Sequence, residues 1–189
     1  MLKSSVIIDH LQQIFVGSSP SDFVFQRIGG MSNINYKVSY LDRTYILRIP
    51  GNGADGMVER ENEELNTMLA QQMGIHPSIT YFNRTTGIKL VEYIENAETL
   101  NPITIQSKEN LKQIADIYRT LHNSRFRERN DFNLFHEIDK YNFLMRRVGA
   151  KMYEHELDGY SQVIKLEHHL NKMGVELKPC HNDGVPENF

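Results

Sequence analysis

Only one cysteine, Cys180, occurs among the 189 residues, and tryptophan is missing altogether. A lone thiol excludes an internal disulfide framework and suits a reducing compartment. No stretch approaches the roughly 18 apolar residues that a membrane-crossing helix requires. The opening segment, MLKSSVIIDHLQQIF, lacks the long apolar centre and small-residue cleavage site of a secretory signal. A cytoplasmic protein without a membrane partner is therefore expected. Charge of one sign is scarce too: 21 Lys and Arg against 24 Asp and Glu leave a formal net charge of -3. With no strongly basic stretch, sequence-independent nucleic-acid binding has little electrostatic support. His168 and His169 are sequential and point different ways on a helix, so no tetrahedral zinc set is completed. Internal repeats and low-complexity blocks are absent as well.

What is present has ordinary globular proportions, 40% hydrophobic and 24% charged, enough to build a core at this length without staples. Residues 2–16 read as a short amphipathic helix with Val6, Ile7, His10, Leu11 and Ile14 near one face, ended by Gly17–Asp22. Strand signals follow at Phe23–Ile28 and Ile34–Tyr40. A Leu-Asp-Arg turn then leads into Thr44–Ile49, where Tyr45, Leu47 and Ile49 share one face and Thr44, Ile46 and Arg48 the other. A helix over about 57–73, with Val58, Leu65, Met68, Leu69 and Met73 inward, is closed by Gly74 in a left-handed cap. Strands near 79–82 and 88–94 complete five strands and one helix. Beyond Asn101-Pro102 the pattern turns helical. Ser107 caps a helix whose apolar positions 111, 114, 115, 118, 121 and 122 follow the 3.6 period, and further helices are expected near 134–148 and 157–173. A short strand, 175–180, leads into the final loop. The expected division is a lobe over 1–95, a hinge over 96–106 and a helical part over 107–189.

The most specific chemical signal is the closing stretch CHNDGVPENF, which spaces His181, Asp183 and Asn188 as H-x-D-x-x-x-x-N. In phosphotransferases with this loop the Asp orients or deprotonates the attacking hydroxyl and the Asn helps hold magnesium. Upstream, Gly29-Gly30 joins two strands, where missing Cβ atoms let backbone N–H groups approach phosphate oxygens. Ser32 and Asn33 add side-chain donors to that turn. It is neither a Walker loop, since G-x-x-x-x-G-K-[ST] is lacking, nor a Rossmann fingerprint, since no helix follows it. Arg48 on the third strand supplies a cation for phosphates, and the next helix offers Glu59, Glu61, Glu63 and Glu64 to position it. Each signal alone has a bland counterpart, a tight hairpin or a solvated acidic face. Their order along the chain does not.

The blocks GGMSNINYKV, YILRIPGNGADGMVERENEE, LVEYIENAETL, IADIYRTLHNS and CHNDGVPENF resemble the choline/ethanolamine kinase family, within the wider aminoglycoside-phosphotransferase-like kinases. They cover the chain from about residue 26 onward. The resemblance implies an α+β, protein-kinase-like fold: an antiparallel five-stranded N-terminal lobe with one helix, and a partial, mostly helical C-terminal lobe. It implies ATP and Mg2+ as cofactors and a small amino alcohol, choline or ethanolamine, as substrate. Matched to the family motifs, Asp183 is the catalytic base, Asn188 the magnesium ligand and Arg48 the phosphate cation partnered by Glu63. The Glu92 and Ile94 backbone meets adenine. His181 braces the loop, and His122 is structural. Aminoglycosides, thiamine and sugars are the competing acceptors, and a nucleotide-binding remnant the non-catalytic alternative. Two departures stand out. The sequence ends at Phe189, before the second metal-binding Asp and the aromatic-rich amine site of family members, so this chain by itself is expected to be catalytically silent. Gly184 replaces the apolar residue, often Leu, that usually anchors the loop after the Asp.

Overall fold

A computed structural model describes residues 2–30, 33–51, 59–151 and 156–189. The chain forms two compact units, Met1–Arg129 together with Pro179–Phe189, and Asn130–Lys178. In the first unit, helix α1 (Ser4–Ile14) precedes strands β1 (Phe23–Gly29), β2 (Asn33–Tyr40) and β3 (Arg43–Pro50). Helix α2 (Arg60–Gln72), strands β4 (Ile79–Phe82) and β5 (Lys89–Glu92), and helix α3 (Lys108–His122) follow. The five strands form one sheet in the order β1-β2-β3-β5-β4, with every neighbouring pair antiparallel.

Period-two alternation sorts this sheet into two different faces. Tyr36 and Val38 on β2, Tyr45, Leu47 and Ile49 on β3, and Leu90 on β5 are buried together with Ile7 and Leu11 of α1. Here α1 lies on the sheet as part of its core. Phe15, just past the helix end, stacks on Tyr40 at a centroid distance of 4.2 Å. The register sets Arg48 opposite Lys89 and Ile46 opposite Val91, on the other face.

That second face accounts for a correction in α2. Leu65 and Met68, expected inward, are exposed, whereas Thr67 is buried; Val58 lies outside the described residues. The helix presents Arg60, Glu63 and Thr67 to the sheet because the strands beneath it carry Arg48 and Lys89. A carboxylate satisfies those groups and a leucine does not. Met73 and then Gly74, at φ +73, end the helix. Ser107 caps α3 by accepting from the Asn110 N–H at 3.1 Å.

In the second unit, α4 (Leu134–Arg147) begins at Asn133, whose side chain accepts from the Phe135 and His136 N–H groups. Helix α5 (Glu156–Met173) follows, and the Tyr160 hydroxyl donates to Asp139 of α4. No described residue of this unit is fully buried, since two helices alone enclose little volume. The strand expected over 175–180 does not form. No described strand pairs with this segment, Val175 and Leu177 are exposed, and an extended run without a ladder partner is not a strand.

Leu11→Ala should lower unfolding free energy by about 2–5 kcal/mol, as expected for emptying a filled core site. Urea unfolding of the two proteins measures this, and an unchanged midpoint would place α1 outside the cooperative core.

Candidate active site

The second sheet face carries parallel rows of side chains. At one end the glycine turn joins β1 to β2. Gly29 and Gly30 have φ of +124 and +110, and the β1–β2 register shifts between Arg27 and Gly29. A Cβ on Gly30 would stand 1.9 Å from the Asn33 carbonyl oxygen, so only glycine fits. Asn33 opens β2; Ser32 lies outside the described residues. In the adjoining row Asn35, Arg48 and Lys89 are register partners across β2, β3 and β5.

Glu63 organises that row from above. Its Oε2 accepts from Arg60 Nη1 at 2.8 Å, and its Oε1 lies 3.0 Å from Arg48 Nη1 as an ion pair, off hydrogen-bond angle. The Glu63 and Arg60 side chains are only 12% and 10% exposed. Gly87, in the β4–β5 turn at φ +70, makes room for Arg60: a Cβ there would meet the guanidinium at 2.5 Å. Lys89 is buried beside the pair. One carboxylate thus faces three cations, and Arg48 Nε and Arg60 Nη2 are buried without a hydrogen-bond partner among the described residues. Buried unpaired donors under a surplus of positive charge fit an anion. His76, whose Nδ1 lies 2.8 Å from the Pro77 carbonyl oxygen, responds to the same surplus. Burial lowers its pKa first, and Lys89 and Arg48 lower it further against that carbonyl.

Farther along the same face is a cavity of about 390 Å³, floored by Ile46 and Val91 and reaching Glu92, Tyr93 and Ile94. Within the segment after β5, the Glu92 N–H donates to the Ser78 carbonyl and the Tyr93 N–H to the Thr44 carbonyl. Among the described residues no backbone acceptor takes the Ile94 N–H. The Glu92 side chain points to Arg43, 3.5 Å away.

The closing loop belongs to this unit. Asn188 Nδ2 donates to the Asp183 carboxylate at 2.9 Å and to the Asp183 carbonyl at 2.8 Å, so the two motif residues, with four others between them, meet. Asn182 between His181 and Asp183 takes φ +60, a left-handed conformation that Asn tolerates better than most residues. Phe189 fastens the loop: its carbonyl accepts from the Leu100 N–H at 2.8 Å, and its ring meets those of Tyr118 and His181. The expectation that Gly184 leaves the loop without an anchor needs revision. The Tyr118 hydroxyl fills the place of a Cβ on Gly184, 2.5 Å from it, and Tyr118 stacks on His122.

Sequence reasoning therefore named Arg48, Glu63, Asp183 and Asn188, which the structure brings into two close pairs. It missed Lys89, Arg60 as the second partner of Glu63, and Tyr118. A lysine inside the apolar run Ile88–Val91 is the legible signal for Lys89; the period of α3 marks Tyr118 as a packing position but not its place over Gly184.

Burial, and then the neighbouring Arg48 guanidinium, lower the Lys89 ammonium from 10.5 to about 8, with Glu63 only partly opposing them. Because the folded pKa lies below the unfolded one, the unfolded chain binds more protons between about pH 8 and pH 10.5. Folding stability tied to Lys89 should therefore rise with pH across that window, its penalty being complete below it. Urea midpoints of the wild type and Lys89→Met should converge from about pH 8 to pH 10; parallel curves would contradict the burial of a charged lysine.

All of these residues fall within the stretch that matches a known family. The family model for choline/ethanolamine kinase matches residues 24–189. Protein LicA of Haemophilus influenzae is 34% identical over 166 residues, 87% of this chain and 49% of LicA. A crystal structure of choline kinase LicA from Streptococcus pneumoniae is similar at 31% identity and a TM-score of 0.82, covering 98% of this chain and 63% of that one. A structure of LicA in complex with AMP gives 32% identity and a TM-score of 0.80, with the same coverage. The chain thus spans about half to three-fifths of the length of these relatives. Its fold is the α+β, protein-kinase-like fold expected from the resemblance, and the chain belongs to the choline/ethanolamine kinase family.

Proposed function

We propose that this chain is the nucleotide-binding and catalytic-loop part of an ATP-dependent kinase whose acceptor is the hydroxyl of choline or ethanolamine. The observation that carries this reading is that one compact unit holds both the Glu63-paired Arg48 and the hydrogen-bonded Asp183 and Asn188. The similarity to choline kinase LicA and to LicA in complex with AMP supports the acceptor and the adenine nucleotide.

On this reading residues 1–95 are the nucleotide lobe, 96–106 the hinge, and 107–189 the helical part with its loop. The glycine turn 29–30 offers backbone donors to the phosphates, with Ser32 and Asn33 as additional side-chain donors. Arg48, held by Glu63, binds phosphate oxygens, and its buried Nε finds its partner there. The Ile94 N–H and the Glu92 carbonyl meet the adenine edge. Asp183 accepts the hydrogen bond of the acceptor hydroxyl, aligning it for in-line attack and taking its proton. The Asn188 amide oxygen suits a hard cation, because its Nδ2 already donates to Asp183 and turns the oxygen outward from that bond. When bound, Mg2+ neutralises charge that develops on the transferred phosphoryl group.

No described helix is long and apolar enough to cross a membrane. A cytoplasmic setting, where ATP is available, is part of the proposal.

The test is ADP release by the full-length protein with choline, ethanolamine, an aminoglycoside, thiamine and a sugar as acceptors. Turnover should appear with choline or ethanolamine. Asp183→Asn should cut kcat by about 10²-fold or more while leaving ATP affinity within about twofold. Absence of turnover with both amines would overturn the acceptor assignment, and an unchanged kcat in Asp183→Asn would overturn the role of the base.

A further inference from the structure

The base end of the nucleotide cleft contains a cation that neither the phosphate row nor the catalytic loop uses. Lys37 of β2 is the register partner of Ile46 on β3, and Ile46 is the partner of Val91 on β5. This row lies two residues along β2 from Asn35, the partner of Arg48, so about 6–7 Å separates it from the phosphate cations. Lys37, Ile46 and Val91 face the 390 Å³ cavity that Ile28, Tyr93 and Ile94 complete. The surroundings are mostly apolar. Among the described lining residues the one acidic side chain, Glu92, is engaged by Arg43.

Among the described residues no carboxylate pairs with Lys37. Its ammonium instead rests over the ring of Tyr93, 3.8 Å from the centroid. That is a cation–π contact, and it holds the charge at the hinge end of the cavity. A flat, electron-rich ring entering this space would have Ile46 and Val91 against one part of its face and, within reach, an ammonium already held over an aromatic ring.

We propose that Lys37 is a base-recognition residue: its ammonium transfers from, or is shared with, the Tyr93 ring onto the face of a purine bound in the cavity. This rests on the reading of the cleft as a nucleotide site. Purines offer a larger π surface than pyrimidines, so the contact favours a purine nucleoside. It acts independently of the phosphates, because the row that binds them is a separate one. The alternative role, a lysine reaching for the α-phosphate, would require the ammonium to leave Tyr93 for the neighbouring row.

The experiment titrates adenosine and ATP separately into the full chain and into Lys37→Met and Lys37→Arg, using ligand-observed NMR for adenosine and calorimetry for ATP. Methionine keeps the length of the stem and removes the charge; arginine keeps a cation able to stack. Lys37→Met should weaken adenosine and ATP by the same factor, about 2- to 30-fold, and Lys37→Arg should restore both. A loss confined to ATP would assign Lys37 to phosphate, and an unchanged Lys37→Met would reduce it to a structural contact with Tyr93; either result overturns the proposal alone. ATP binding without adenosine binding in the wild type would also overturn it. A wild type that binds neither ligand overturns the nucleotide reading as well.

Discussion

The carboxylate of Glu63 is the joint on which the polar half of this fold depends. Its two oxygens separately meet Arg60 of the same helix and Arg48 of β3, with Lys89 of β5 buried alongside. Take the carboxylate away and three cations share a nearly dry site; buried charges left without their partner typically destabilise by about 3–5 kcal/mol. Leave it in place and a surplus of positive charge remains, which the helix and sheet alone do not neutralise. Stability and anion affinity therefore pull in opposite directions at one spot. That conflict is expected where a fold is shaped for a ligand.

The sheet lets both halves coexist. Because successive side chains alternate between faces, β3 can bury Tyr45, Leu47 and Ile49 against α1 while Arg48 and Ile46 face the cleft. The apolar side carries the cohesion, so the cleft side can hold lysine and arginine. Gly87 and Gly30 serve the same end by omission. One leaves room for the Arg60 guanidinium that steadies Glu63, and the other lets the β1–β2 turn close over its own Asn33 carbonyl.

Much of this was legible in residues alone, for physical reasons that differ by element. The strands and the two faces of β3 follow from strict alternation, which survives in any context. The H-x-D-x-x-x-x-N spacing revealed Asp183 and Asn188 because that interval is short enough for local backbone geometry to bring them together. Helix α2, expected from about residue 57, is helical from Arg60, and two of the residues expected inward, Leu65 and Met68, face outward. Leu65 and Met68 look like core residues by hydrophobicity, yet the partner face is charged, and that is knowable only once Lys89 is set beside Arg48. The segment 175–180 failed for a related reason, since its alternation is that of a strand but pairing depends on a neighbour that sequence does not disclose. Tyr118 filling the space over Gly184 joins positions far apart in the chain, and no local pattern encodes such a contact.

The central claim is that Arg48, steadied by Glu63, binds the phosphates of a nucleotide. Calorimetric titration of ATP into the wild type and Arg48→Met tests it most directly, with adenosine as the reference ligand. The account predicts that Arg48→Met loses about tenfold or more in ATP affinity, the scale of a charge-assisted hydrogen bond, and keeps its affinity for adenosine. Equal ATP affinity in the two proteins would contradict it.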